Sequence, residues 1–449
     1  VTLACGATQT GFGRTGTVDW QTTKKTTAFT AANGEGYFVD TAASGAVTMT
    51  LPSSPSAGNI VAVKDYNGNF ATANLTIGRN GSPINGANAA DVVIKTNGAS
   101  IVLVYIDASQ GWVATQDDES VFAGEAFVCA SGGTESNCGD FKIHTFTGPG
   151  TFTVNSIASN ASDNIVDYLV VAGGGGAGTS PGNSAGGGGA GGFRYFANTT
   201  TNPQSGKPGA PLNGYGSPTP SGTQITVSAQ PYTIAVGGGG PGGPGPASPA
   251  PAGTSGVAST FSTVTSAGGG AGGAGVPSGC SARNGLNGGS GGGGGGGNPN
   301  STGGSGNTPP VTPSQGSNGG GNNCGSASPD HQGSGGAGAT AVGQPTQGSV
   351  SGNGGAGAGL VGFGSSNGQC SVCVQYFAGG GAAGRTPPTA TGTATGGIGG
   401  GGGPCASAAN STGGAGTDNT GGGGGAGTAP LAAGGQGGSG IVVIRYKFQ

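Results

Sequence analysis

The chain has 449 residues, of which 111 are Gly and 27 Pro; only 6% are charged and the formal net charge is −3. This composition excludes an ordinary globular domain and a charged disordered tail, and 13 scattered Lys and Arg give no electrostatic footprint for nucleic acid. No stretch approaches the roughly 18 consecutive apolar residues of a membrane span, and Val1 follows no basic segment with a cleavage site, so the expected state is an N-terminally trimmed chain without membrane insertion.

In chain order, residues 1–30 carry Thr pairs and little apolar periodicity, which predicts a docking arm that orders against a partner. Residues 31–118 alternate as short strands: Gly36 to Asp40, Val47 to Leu51, Ile60 to Lys64, Leu75 to Ile77, Val92 to Lys95 and Ser100 to Tyr105. Asn67-Gly68, Asn80-Gly81 and Asn97-Gly98 supply the positive φ of tight hairpins, so the expected fold is all-β, beginning with an antiparallel β-sandwich. Trp112, after Gln110-Gly111, should close the last hairpin. Residues 119–172 read as a smaller β segment. There Cys129 and Cys138 flank a turn-rich stretch, and a disulfide across a hairpin is the expectation.

From Gly173 to the C-terminal region, glycine runs dominate, but short apolar strands frame them: Tyr168 to Ala172 ahead, Tyr232 to Val236 between, and Ile441 to Tyr446 behind. Collagen is excluded because Gly288 to Gly297 lacks strict third-residue glycine with intervening Pro. Extended left-handed glycine helices, polyglycine II, can instead lie side by side, since no Cβ blocks backbone approach. Ordering costs roughly 1–2 kcal/mol per residue and a hydrogen bond returns about 0.5–1.5, so an apolar wall must seal the bundle. Leu169 and Val171 point one way and Tyr168 and Val170 the other, as in a strand covered on both faces. Residue 170 is expected beside 443, and Ala177, Ala190, Ala271, Ala356 and Ala426 to face outward.

The ordered motifs His144-Thr-Phe-Thr-Gly-Pro-Gly-Thr-Phe-Thr-Val154, Asp167-Tyr-Leu-Val-Val-Ala-Gly173, Gly192-Phe-Arg194, Tyr232 to Gly240, Gly256 to Phe261 and Gly437 to Tyr446 resemble the glycine-rich modules of bacteriophage tail-fibre and receptor-binding adhesin proteins. The resemblance covers about two thirds of the chain. It implies packed polyglycine II helices at 173–449 with display loops, a place on the virion surface, and partners among other virion proteins and a host glycan or outer-membrane protein. The β domain more loosely resembles trimeric fibre domains, which implies a homotrimer. The alternatives are a purely architectural virion component, such as a collar fibre or capsid decoration, and a cellular extracellular-matrix protein.

No catalytic constellation, cofactor or metal site is expected. His144 lies in a strand motif that suits a structural histidine, and His331 follows Asp330 in a loop. Cys370-Ser-Val-Cys373 has metal-knuckle spacing, but the oxidising surroundings of an extracellular particle favour disulfides, with Cys280, Cys324, Cys370, Cys373 and Cys405 partly paired among themselves and Cys5 unassigned, a link to another subunit being one option. Phe193, Tyr195, Tyr215, Phe363, Tyr376 and Phe377 are candidates for plugging the bundle or for touching a receptor, and Arg194, Arg283 and Arg385 for pairing with acidic sugars.

Overall fold

The computed structural model describes residues 18–86, 91–116, 127–197, 224–245, 251–275, 284–297, 301–321, 332–364, 366–371, 374–386, 394–404 and 410–448. The chain divides into two units, 1–126 and 127–449.

The first unit contains β1 Asp19–Lys25, β2 Phe29–Thr30, β3 Glu35–Val39, β4 Val47–Thr50, β5 Ile60–Asp65, β6 Leu75–Gly78, β7 Val92–Ile94, β8 Ser100–Asp107 and β9 Gly111–Gln116, of which β3 to β8 fall within a residue or two of the expected apolar segments. They build two sheets, β1-β3-β5-β8-β9 and β2-β4-β6-β7. Tyr37, Val39, Val61, Val63, Leu103 and Trp112 of the first meet Met49, Leu75, Ile77 and Ile94 of the second in one core.

The sandwich is present, but it is not antiparallel. From β1 to β6 each strand crosses to the opposite sheet, so successive strands within a sheet run the same way: Tyr37 pairs Val63 and Met49 pairs Ile77 in parallel ladders. Only β7, β8 and β9 add antiparallel edges, with Tyr105 opposite Trp112 in the closing hairpin. The Asn-Gly pairs at 67–68 and 97–98 turn crossings rather than hairpins. Buried Asp65 anchors both, its carboxylate accepting from Gly68 N at 3.0 Å and from Gly98 N at 2.9 Å. Part of the stretch expected as a docking arm is instead ladder, since β1 and β2 pair with β3 and β4; residues 1–17 lie outside the described residues.

The second unit contains β10 Cys129–Ser131, β11 Thr134–Cys138, β12 Phe141–Phe146, β13 Gly150–Ser156, a 3₁₀ turn at Ala161–Asn164, β14 Ile165–Val171, β15 Phe193–Phe196, β16 Ile225–Thr226, β17 Pro231–Ala235, β18 Ser259–Phe261, β19 Val264–Ser266, β20 Ala358–Leu360, β21 Gln369–Ser371, β22 Val374–Phe377 and β23 Ile441–Lys447. Its sheets run β11-β12-β23-β14-β15, with β16 also on β14, then β10-β13-β17-β18-β19, and β20-β22-β21. Residues 127–172 share these sheets with the strand that closes the glycine region, which β12 and β14 flank; residues 119–126 of the expected segment lie outside the described residues.

Both faces of that strand pair are covered. Tyr168, Val170, Val442 and Ile444 pack with Phe152, Ile234 and Phe261; Leu169, Val171, Ile441 and Val443 pack with Phe193, Leu360 and Phe377. Val170 pairs Val442 and Leu169 pairs Val443, one residue from the expected register.

Beyond β14 the backbone leaves the sheet, and its hydrogen bonds repeat every three residues. Gly173, Gly176 and Thr179 donate to Val257, Thr254 and Pro251; Gly174, Ala177 and Ser180 to Gly438, Gly435 and Ala432; Gly175 and Gly178 to Gly189 and Gly186. All three neighbours run antiparallel to it. The carbonyls of Gly173, Gly176 and Thr179 accept from Gly269, Gly272 and Gly275, those of Gly174 and Ala177 from Gly240 and Gly243, and that of Gly175 from Gly424. A three-residue turn thus addresses six neighbours, the arrangement a bundle of polyglycine II helices demands.

Glycine is required here for space. A Cβ on Gly174 would stand 2.1 Å from the Gly422 carbonyl oxygen, on Gly175 2.3 Å from that of Gly270, and on Gly176 2.1 Å from that of Pro241. None of the three has a left-handed φ. The alanines depart from expectation: Ala177, Ala190, Ala271 and Ala426 are fully buried, and Ala356 is half-buried. Methyls of Ala177, Ala185 and Ala426 share one internal gap.

Replacing Gly174 or Gly175 by Ala should destabilise this unit by about 3 kcal/mol or more, whereas Gly238→Ala, whose Cβ would meet nothing within 4 Å, should be near neutral. Denaturant unfolding monitored by Trp-independent amide exchange of 173–180 checks both, and those amides should exchange at the slow rate of the core.

Candidate functional site: the closing strand and the remote end of the bundle

The chain leaves and re-enters the sheets, so the glycine runs have a sheet end and a remote end. At the sheet end, β23 brings Arg445 opposite Asp167. The guanidinium Nε donates to the carboxylate at 3.1 Å, an Nη makes a second contact with the same oxygen, and the other Nη donates to the Gly362 carbonyl at 3.1 Å. Phe141 and Phe363 lie 4.3 and 5.1 Å from the guanidinium carbon. A buried ion pair this well satisfied fixes register more than it adds stability.

On β12, His144 is fully buried. Its Nδ1–H donates to the Gly132 carbonyl at 2.7 Å, which fixes the tautomer, so Nε2 accepts from the Tyr446 hydroxyl at 3.0 Å. Burial lowers the imidazole pKa below its ordinary 6.5; the Gly132 bond and the Glu135 carboxylate pull upward, and Lys142 pulls down. Burial likewise raises the Tyr446 hydroxyl. His144 is therefore a neutral structural link between β12 and β23.

At the remote end, side chains tie the turns together. Thr179 Oγ1 donates to the Pro244 carbonyl at 2.6 Å and Ser180 Oγ to that of Gly427 at 3.2 Å. Gln332 Oε1 accepts from Ser351 Oγ at 2.9 Å and Thr386 N at 3.1 Å, gathering three chain segments. Asn410 Oδ1 accepts from Leu431 N at 3.1 Å. Pro251, Gln332, Thr386 and Asn410 border 246–250, 322–331, 387–393 and 405–409, which lie outside the described residues. Val350 and Leu431 are exposed there, and the carbonyl of half-buried Arg385 accepts from Ala429 N.

The receptor candidates divide accordingly. Phe193, Tyr195, Phe363 and Phe377 are buried in the core beside β14 and β23, with Tyr195 and Phe363 edge to face at 5.8 Å, so they plug the bundle and are closed to a receptor. Aromatic rings are what seals a module whose runs have no side chains. Arg194 is half-buried on the other face, where burial draws its pKa down. The ring of Tyr376 covers Gly359, where a Cβ would approach it to 3.0 Å. Arg385 alone of the described candidates reaches the remote end; Tyr215 and Arg283 lie outside the described residues, as does His331. Sequence reading missed Asp167 with Arg445, although a charge closing each apolar strand was the visible signal, and it missed buried Gln332.

The hairpin expected between Cys129 and Cys138 does not form. β10 joins β13 and β11 joins β12, in different sheets, and both thiols are free and exposed, as is that of Cys370. Cys5, Cys280, Cys324, Cys373 and Cys405 lie outside the described residues.

A family model for the glycine-rich domain matches residues 145–447. The chain belongs to this glycine-rich domain family. The match begins inside β12 and ends on the last residue of β23, so in the glycine-rich domain wall and bundle are one unit. No curated protein matches the chain. Among the described residues no helix is long and apolar enough to cross a membrane.

Arg445→Met should cost about 3–5 kcal/mol by stranding Asp167, and Asp167→Leu in the same chain should recover most of it, as chemical denaturation would measure. For His144 the folded pKa lies below the unfolded 6.5, so the unfolded state takes up the proton first. Stability should hold above that pH and fall as pH drops from about 6.5 toward the folded value. His144→Gln should flatten this slope in thermal melts across pH.

Proposed function

We propose that this protein is a bacteriophage virion fibre component, a tail fibre or adhesin, that presents the remote end of its glycine bundle to a host cell surface. The observation that carries this reading is the six-neighbour lattice. It makes a stiff body whose side chains are spent on sealing one end, so sequence variety is confined to turns at the other. The described turn residues there are pinned by buried Thr179, Ser180 and Gln332 and by Asn410 before any partner arrives, which lowers the entropy cost of binding. Several copies on one particle would add weak contacts through effective concentration. Attachment to other virion proteins falls to the first unit, and a homotrimer is the assembly we favour for it.

Purified chain incubated with bacterial cells should adsorb and should block infection by particles that carry it. Leu431→Asp combined with Val350→Asp should reduce adsorption by about 10²-fold if avidity is shared among copies; Ile157→Asp, exposed at the sheet end, should leave it unchanged. Particles that contain the chain at fixed stoichiometry while it binds no cell would instead support the architectural reading.

A further inference from the structure

A cleft of about 280 Å³ opens at the sheet end, between edge strand β11 and the loop that follows β20. We propose that it binds one uncharged, polyhydroxylated sugar unit. Ser136, Asn137, Cys138, Ser366 and Gln375 line it together with Ile143, and none of its described lining residues is Asp, Glu, Lys, Arg or His. A charged ligand would find no counter-charge there, whereas hydroxyls and amides exchange donor and acceptor roles with sugar hydroxyls. Half-buried Val361, in the same lining as Ile143, offers an apolar surface to the C–H face of a pyranose ring.

Gln375 supplies the second, independent observation. It is 8% exposed and its Oε1 has no hydrogen-bond partner. An acceptor left unpaired in the interior is costly, and the same amide lines the cleft, where its nitrogen can donate to a ligand hydroxyl. The volume lies near the lower end for small-molecule sites, roughly 300–1,000 Å³, which suits a single ring.

Hydrogen bonds hold the described residues of the walls. Arg445 holds the Gly362 carbonyl at 3.1 Å, and Asn367 Nδ2 holds the Phe363 carbonyl at 2.9 Å and Thr145 Oγ1 at 3.2 Å. The tight loop needs left-handed glycine at Gly364, φ +90°. On its outer side β11 has no strand neighbour among the described residues, which leaves backbone donors and acceptors at the rim.

The site is separate from the remote turns, so this inference stands or falls independently of host recognition. The test is NMR of the full chain titrated with methyl β-D-glucopyranoside, methyl α-D-galactopyranoside and N-acetylglucosamine, with N-acetylneuraminic acid as the charged comparison. At least one neutral sugar should shift the Gln375 side-chain amide and the Ile143 methyl with an affinity near 1 mM, and Gln375→Leu should weaken it at least tenfold. The same variant should keep or raise the melting temperature, because it removes an unpaired buried oxygen. Absence of shifts with every neutral sugar at about 50 mM, shifts with the acidic sugar alone, or a lower melting temperature for Gln375→Leu would overturn the proposal.

Discussion

The second unit depends on one contact: a backbone carbonyl of one run lying where a neighbouring residue's Cβ would otherwise stand. At Gly174, Gly175 and Gly176 that distance is near 2 Å, so the bundle exists only while those positions are bare. The same closeness lets each amide find a partner on a different neighbour, three by donation and three by acceptance. Backbone hydrogen bonding here forms a lattice in cross-section, unlike the two-sided ladder of a sheet.

Such a lattice has little apolar surface, and its stability must come from elsewhere. The sheet containing β14 and β23 answers this by being apolar on both faces, with one core against the second sheet and another formed with Phe193, Tyr195, Leu360, Phe363 and Phe377. Polar side chains serve as seams between sheet and bundle: Ser259 Oγ donates to the Val171 carbonyl at 2.8 Å and accepts from Gly237 N at 2.9 Å. The turns at the far end are stitched in the same manner.

Much of this was legible in the chain. Tyr168 to Ala172 and Ile441 to Tyr446 announced their strands, their pairing and their double coverage through uninterrupted apolar runs, and glycine repetition announced a Cβ-free bundle. Which run neighbours which was not legible, because a glycine carries no side chain to encode register. Phe193, Tyr195, Phe363 and Phe377 were ambiguous for a related reason: an aromatic beside glycine has no periodicity to show whether it faces in or out. In the first unit, strands β3 to β8 were placed to within two residues, yet the parallel pairing of β3 to β6 was misread. Alternation at period two is the same in a hairpin and in a crossing, and Asn97-Gly98 serves either turn. Of the sites, His144 disclosed its structural role through its strand motif, while Gln375 and Gln332 gave no sign of burial.

The position of β23 has a consequence for biosynthesis. It is the middle strand, inserted between β12 and β14, and Arg445 is made 278 residues after its partner Asp167. At ribosomal speeds of about 5–20 residues per second, the flanking strands wait roughly 15–55 s with their facing edges and apolar surfaces unpaired. The wall therefore cannot assemble as the polypeptide emerges. Interruption of synthesis before its final strand leaves a species prone to edge-to-edge aggregation.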